Sequence, residues 1–581
     1  MPPSKRRLLS ESTDDAETAP KRQRVATRAP PPAASRDFIS RTSDELLVRI
    51  LSYMSERTLL DVSLVSKRFH AISADSQLWR PHYYRRFILP RAHRIPGFTT
   101  TRGYSSGPAG DSAPAWRKPA SAKRWSTIRE QVVDQVDWKK QYRLRHNWAG
   151  GRCAVEEVEV HDVDKKSEVV APPEWQTLIK VVEGIAVTVD ALSGIRAWDL
   201  RTRQTIAQTP LESDRPMRSR PSCLAVDDAR LCKGQVDVAV GFEDGTSGVW
   251  RLDARRNTMK ILFRQEKGFL GSLLSIAYGY PYLLTATTLG FIALYTFNHT
   301  SADNVSDAGD ETDNEAARAA ATRSPEEADD EHVTLPPPYL LTSLKSHSTQ
   351  GPLSLSLRKN ASSVVASVAY TFNTVGGWSI GIQDLDIRPS GAVVSRVATS
   401  LPIQLGSRHS PAASPLQPNR HRFDVDDDDD DSGPVKLRYS HPYLLVTLPD
   451  NTLVLHLCTA TATTLTISAG VRLWGHTSGI SDAEITPRGK AVSVSARGDE
   501  IRLWDLEGRL SARSVAVRPR LRGMDGKSSG DPSPASSAPQ TPPRVGLDDV
   551  RRNRVGFDDE VVLVLKEATD GRDSLTLYDF T

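Results

Sequence analysis

Guanidinium groups are the side chains of this sequence best suited to recognition chemistry. Arg196 in SGIRAWDL, and Arg497 and Arg502 in SARGDEIRLW, stand on short alternating stretches, and a guanidinium can grip two phosphate oxygens at once. Catalysis by this chain is not expected. Cys153, Cys223, Cys232 and Cys458 lie far apart, without the close pairs of a zinc site or a disulfide framework, and no cluster of His and Cys stands at metal-ligand spacing. GMDGKSS at 523–529 ends like a phosphate loop, but its two glycines are too close together and no strand precedes it. No metal or other cofactor is expected.

The elements that position such groups are modular. A chain of 581 residues exceeds what one core organises. Lys plus Arg number 75 against 71 Asp plus Glu, a net charge of +4, so nothing global argues for a nucleic-acid or membrane partner. No apolar stretch reaches bilayer-spanning length. Residues 1–36 have the Pro, Ser, Glu and Lys content of a disordered tail. Within it Lys5, Arg6 and Arg7, then Lys21, Arg22 and Arg24, form two basic clusters spaced as in a bipartite nuclear-import signal. The expectation is a nuclear protein, with some in the cytoplasm.

Residues 37–92 turn helical. In TSDELLVRILSYM, Leu46, Leu47, Ile50, Leu51 and Met54 recur at helical spacing, and Thr42 with Glu45 suggests a capping box. A second helix through Leu59, Leu60, Leu64 and Val65 and a third through Phe69 and Ile72, ending at Leu78 and Trp79, follow after short breaks. So small a unit buries little apolar surface, so part of its burial is expected against a partner.

The run SDELLVRILSYMSERTLLDVSLVSKRFHAISADSQLWR resembles an F-box, the helical motif that docks substrate receptors on the Skp adaptor of cullin-RING ubiquitin ligases. Its most specific piece is SLVSKRFHAISADSQLWR; Thr42 and Ser43 stand where the family has Leu-Pro. The resemblance implies adaptor contact or motif support by Leu46, Leu47, Ile50, Leu51, Leu59, Leu64, Val65, Phe69 and Trp79.

Residues 93–122 are Gly, Pro and Ser rich, a flexible insertion. Residues 123–150 read as a linker helix with Trp125, Ile128, Val132 and Val136 on one stripe. DWKKQYRLRHNWAGG resembles the passage from linker to propeller in F-box/WD-repeat receptors. From 151 to 581 short alternating strands recur between turns. SGIRAWDL, GTSGVWRL, GFIALYTF, NTLVLHLC, DEIRLWDL and DSLTLYDF resemble WD-repeat third strands, and LWGHTSGIS before DEIRLWDL keeps the family's Gly-His. SLSLRKNASSVVASVAYTFNTVGGWSIGIQDL adds a weaker unit, and CAVEEVEVHDV is suited to supply the outer strand of the last blade.

The expected fold is therefore multidomain: a small all-α F-box with a helical linker, then an all-β, seven-bladed WD-repeat-like propeller. Disordered insertions are expected near 299–335, 404–434 (with an Asp run, Asp426 to Asp431) and 516–548. Ser324, Ser410, Ser414, Ser533 and Thr541 each precede Pro there. The resemblance implies a non-catalytic substrate-recognition subunit of an SCF ubiquitin ligase, partnered by the Skp adaptor, the cullin and a protein target. Receptors of this family that read phosphorylated targets use propeller arginines, which implies substrate contact by Arg196, Arg497 and Arg502. A nuclear WD-repeat scaffold acting outside a ligase is the alternative.

Overall fold

The computed structural model describes residues 38–39, 41–92, 136–159, 177–211, 220–265, 271–298, 334–346, 351–360, 363–388, 392–403, 433–506, 514–520, 552–566 and 574–581. The basic clusters, residues 93–135, the Asp run and the five Ser-Pro and Thr-Pro sites lie outside them. The chain divides into two compact units, residues 1–78 and 79–581.

In the first unit three helices follow one another: α1 Asp44–Leu51, α2 Glu56–Ser63 and α3 Lys67–Ser73. Ser55 and Ser66 cap α2 and α3, their hydroxyls accepting from the amides of Thr58 and Phe69. The expected capping box at α1 is corrected: Ser43 is the N-cap, without a side-chain cap bond, and the Thr42 hydroxyl instead donates to the Phe38 carbonyl. The third helix also stops earlier than expected. It ends at Ser73, and a new helix, α4 Ser76–Tyr83, begins where the Asp75 carboxylate accepts from the Gln77 amide at 2.7 Å. Buried Leu47, Leu51, Leu59 and Ile72 supply apolar burial to α1, α2 and α3, and α3 packs against both α1 and α2.

In the second unit α4 passes through a π-helical turn, Tyr84–Ile88, into α5 Leu89–Ala92. This segment packs on α6 Trp138–Gly150 through aromatic rings: Trp79 on Tyr142 and Tyr83 on Trp138, both at 5.3 Å, and Phe87 on Tyr142 at 5.4 Å. The Arg86 guanidinium donates to the Tyr142 hydroxyl at 2.6 Å. Gly151 caps α6 in the left-handed conformation (φ 64°), which a glycine adopts without steric cost.

Seven sheets follow in chain order, each an antiparallel meander of strands a to d running from centre to rim. Blade 1 is Leu178–Val182, Ile185–Asp190, Gly194–Asp199 and Gln204–Thr209; blade 2 is Pro221–Asp227, Gln235–Phe242, Ser247–Asp253 and Thr258–Arg264. Blade 3 is Leu273–Gly279, Tyr282–Thr287, Phe291–Thr296 and Tyr339–Lys345; blade 4 is Leu353–Lys359, Val364–Thr374, Gly377–Ile387 and Val393–Thr399. Blade 5 is Lys436–Ser440, Tyr443–Thr447 and Leu453–Ala460, with its outer strand split into Leu465–Ile467 and Val471–Leu473. Blade 6 is Ile480–Ile485, Lys490–Ser495, Ile501–Asp505 and Ser514–Ala516. Blade 7 is Asn553–Phe557, Val561–Lys566 and Ser574–Asp579, completed by Arg152–Glu159.

The a strands contact one another in an unbroken circle, blade 7 meeting blade 1, so the ring has no open sheet edge at its seam. The segment expected to begin a disordered insertion at 516 carries structure up to Arg520. Arg518–Arg520 adds a parallel strand outside Arg152–Ala154, and the Arg518 amide donates to the Gly151 carbonyl at 2.7 Å. Residues 516–520 are therefore ordered against expectation, because backbone bonds to blade 7 hold a stretch that lacks apolar alternation.

Candidate docking surfaces

Helix α1 carries two apolar stripes. Leu47 and Leu51, four residues apart, point into the small core and are buried, whereas Leu46, Ile50 and Tyr53, spaced by four and three, face out. Leu46 is 60% and Ile50 52% exposed, and just after α2 Leu64 is 84% and Val65 70% exposed. Leu59 is wholly buried, Phe69 half-buried, and Trp79 buried against Tyr142 in the propeller unit. The nine residues assigned to adaptor contact or support thus divide into outward Leu46, Ile50, Leu64 and Val65 and five that build the motif or its continuation. Phe38, Ile39, Tyr53 and Leu60 are also exposed. They were missed because helical spacing reveals a stripe but not which stripe faces inward.

Arg68, from the Lys-Arg-Phe step, ties α3 to the start of α1. Its Nη2 and Nε donate to Asp44 Oδ1 at 2.6 and 2.9 Å, and it also donates to the carbonyl of Thr42. The clamp fixes the entry to α1 although Thr42 and Ser43 replace Leu-Pro.

The three propeller arginines occupy different settings. Arg196 is buried and donates to Asp190 Oδ2 at 2.9 Å. For Arg196 to reach a target it would have to leave this carboxylate, at the cost of parting a buried ion pair. Arg502 donates to Glu500 Oε1 at 2.6 Å and to the Ser514 hydroxyl at 2.9 Å. Arg497 is exposed in the turn between strands b and c of blade 6.

Blade 6 holds its b and c strands by a polar relay. The Trp504 indole donates to Ser493 Oγ at 2.9 Å, and His476 Nε2 lies 2.6 Å from the same hydroxyl. These partners fit an imidazole accepting at Nε2 with its Nδ1 toward Glu500, 3.4 Å away. Burial holds the ring neutral, its pKa lowered to about 4. In blade 1 the Trp198 indole likewise donates to Thr188 Oγ1 at 3.1 Å.

Charges lining the centre are internally matched. Glu484 accepts from Lys180 of blade 1 at 2.7 Å and pairs with Arg438 of blade 5 at 3.0 Å. Asp482 accepts from Lys436 at 2.9 Å and from the Val555 amide at 3.1 Å. Its carboxyl is held down to about 2: burial alone would raise it, and the Lys436 and Arg438 cations outweigh that. Among the described residues no group of three or more His, Cys, Asp or Glu side chains is arranged to hold a metal ion. Gly103-Tyr104-Ser105-Ser106-Gly107 has the Gly-x-Ser-x-Gly spacing of a hydrolase elbow. It lies outside the described residues, and its neighbouring sequence lacks the apolar strand and amphipathic helix such an elbow joins.

A family model described as the F-box protein pof12 β-propeller matches residues 153–581. The chain belongs to that family. An F-box-like model matches residues 44–85, and the protein is an F-box/propeller protein. No curated protein matches the chain. Among solved structures, the WD40 repeats of RRP9 are 9% identical, over 73% of this chain and 97% of that one, with a TM-score of 0.38. The Cps50 (Swd1) β-propeller domain of Myceliophteria thermophila is 8% identical over 70% of this chain and all of its own, 100%, with a TM-score of 0.36. The computationally designed Ika8 protein is 16% identical over 70% and 83%, with a TM-score of 0.33.

Proposed function

We propose that this F-box/propeller protein is the substrate-recognition subunit of a Skp-cullin-F-box ubiquitin ligase. The observation that carries the reading is the outward apolar set on the F-box helices, Leu46, Ile50, Leu64 and Val65. Fully burying one such side chain is worth about 1.5–3 kcal/mol, so a partner that covers all four gains several kcal/mol toward the cost of association. The F-box-like match gives that partner its chemistry, a Skp-type adaptor in a cullin complex. The Arg68 clamp supports the reading, because α1 keeps a defined start without Leu-Pro.

The propeller would hold the target while other subunits perform transfer, so this chain contributes proximity and no bond-making step. The Trp79, Tyr83 and Phe87 rings stack on α6, and α6 is anchored to the ring: the Asn147 side-chain amide donates to the Phe580 carbonyl at 2.8 Å. A nuclear site of action is part of the proposal and rests on the basic clusters Lys5 to Arg7 and Lys21 to Arg24. The test is reconstitution of the full chain with the Skp adaptor, cullin and RING subunit. Co-elution as a stoichiometric complex is expected, and a chain that elutes alone overturns the reading.

A further inference from the structure

Two large apolar side chains stand just ahead of α1 and face water: Phe38 is 70% and Ile39 56% exposed. Polar bonds hold their turn. The Thr42 hydroxyl donates to the Phe38 carbonyl at 2.9 Å, and the Thr42 amide donates to the Ile39 carbonyl at 3.2 Å. Arg68 completes the turn from α3: its Nη1 donates to the Ile39 carbonyl at 3.5 Å, its Nη2 to the Thr42 carbonyl, and its Nη2 and Nε to the Asp44 carboxylate. An exposed ion pair such as Arg68 with Asp44 adds little stability by itself. The planar fork of the guanidinium, which a lysine lacks, lets one side chain bind a carboxylate and two carbonyls at once.

The turn continues the outward apolar set of the F-box. Leu64 and Val65 immediately precede Ser66, the cap of α3, and Arg68 lies in the first turn of that helix. Asp44, which Arg68 holds, opens α1, where Leu46 and Ile50 face out. Phe38 and Ile39 thus join Leu46, Ile50, Leu64 and Val65 around one guanidinium. Thr42 and Ser43, in the places of Leu-Pro, are polar, so Phe38 and Ile39 are the apolar pair nearest the entry to the helix. We infer that Phe38 and Ile39, positioned by Arg68, are two further anchors for the Skp-type adaptor, on a stretch that lies ahead of the F-box-like match at 44–85. Because the turn is already formed, little ordering entropy opposes the contact. Residues 1–36 of the chain are poorly equipped to cover the patch themselves, since their large apolar side chains are Met1, Leu8, Leu9 and Val25.

This inference rests on the receptor reading, and its test separates the two. The purified Skp adaptor is titrated into the full chain and into Phe38→Asp with Ile39→Asp. Phe38→Ser with Ile39→Ser is a second, uncharged pair, and cooperative unfolding is the control for both. Each pair should bind the adaptor about tenfold or more weakly than the parent, with unfolding unchanged. Arg68→Gln should also weaken binding, and combined with the serine pair it should lose less than the product of the separate losses, because the side chains it positions are already gone. Removal of residues 1–36 should leave the affinity unchanged. A parent chain that does not bind the adaptor sinks the receptor reading and this inference with it. Where the parent binds, a pair that binds as tightly as the parent, or an Arg68→Gln loss that multiplies in full with that of the serine pair, overturns this inference alone. So does affinity that rises about tenfold on removal of residues 1–36, which would make that tail the occupant, or self-association of the parent that the serine pair abolishes, which would make it a second copy.

Discussion

Trp148 near the end of α6 stacks on Phe580 with ring centroids 4.7 Å apart, while Lys490 Nζ lies 4.7 Å from the centre of the Trp148 ring. One indole therefore joins the linker helix to the last strand of blade 7 and to strand b of blade 6. Both aromatic rings are buried, with Leu144, Val492 and Val564 in the same cluster. Trp148→Ala should cost about 3–5 kcal/mol, the range for a truncated buried aromatic. Chemical unfolding of the full chain measures it; a loss below about 1 kcal/mol would mean the helix is not seated there.

Arg196 and Asp190 form a pair whose two side chains are both buried. Arg196→Ala strands the carboxylate and should destabilise the protein by about 3–5 kcal/mol. Arg196→Ala with Asp190→Asn, which removes the charge while leaving a side-chain oxygen to accept from the Leu192 and Ser193 amides, should recover part of that loss in the same unfolding measurement. Target binding, compared in variants that remain folded, should not depend on the Arg196 charge.

Gly151 sits in a left-handed turn where a side chain's first carbon would run into the Ala516 carbonyl. Gly151→Ala should cost about 1 kcal/mol for the backbone conformation alone, and more because the added methyl has no room beside the strap at 514–520. A thermal unfolding midpoint unchanged from the parent would contradict the contact between the helix cap and the strap.

Burial holds both His476 and His441 down to about 4, below their ordinary 6.5. Protonation is therefore easier in the unfolded chain. Their contribution is fully present above pH 6.5 and lost as pH falls toward 4. Glu183 acts oppositely: burial, then the Asp559 carboxylate, raises it from 4.5 to about 7. Its contribution is present below 4.5 and lost as pH rises through about 7. Two groups outweigh one, so stability should climb between pH 4 and 6.5, and Glu183→Gln should stabilise the protein at pH 8. Unfolding midpoints of parent and variant across this range check both signs.

The ring was legible where a turn, an alternating strand and a terminal aromatic recur, as in DEIRLWDL, because strand c packs between neighbouring blades and must be apolar on both faces. Blade 4 was the weakest unit to read. Its c strand, GWSIGIQDLDI, is long and carries its aromatic near the start. The closing strand was foreseeable because 152–159 alternates before the first blade and blade 7 otherwise lacks a fourth strand. Arg518–Arg520 was not, since only backbone pairing holds it. The period of α1 located its apolar residues without separating Leu46 from Leu47, which are neighbours in sequence on opposed faces. Nor does alternation reveal that Arg196 finds Asp190 across a hairpin.

Direct titration of the purified Skp adaptor into the full chain tests the central claim, docking through the outward F-box stripe. Leu46→Asp with Leu64→Asp changes only exposed positions, so folding should be preserved while affinity falls by about a hundredfold or more, as expected when two anchors of an apolar contact are lost. A parent chain that gives no binding, or a double variant that binds as tightly as the parent, contradicts the account.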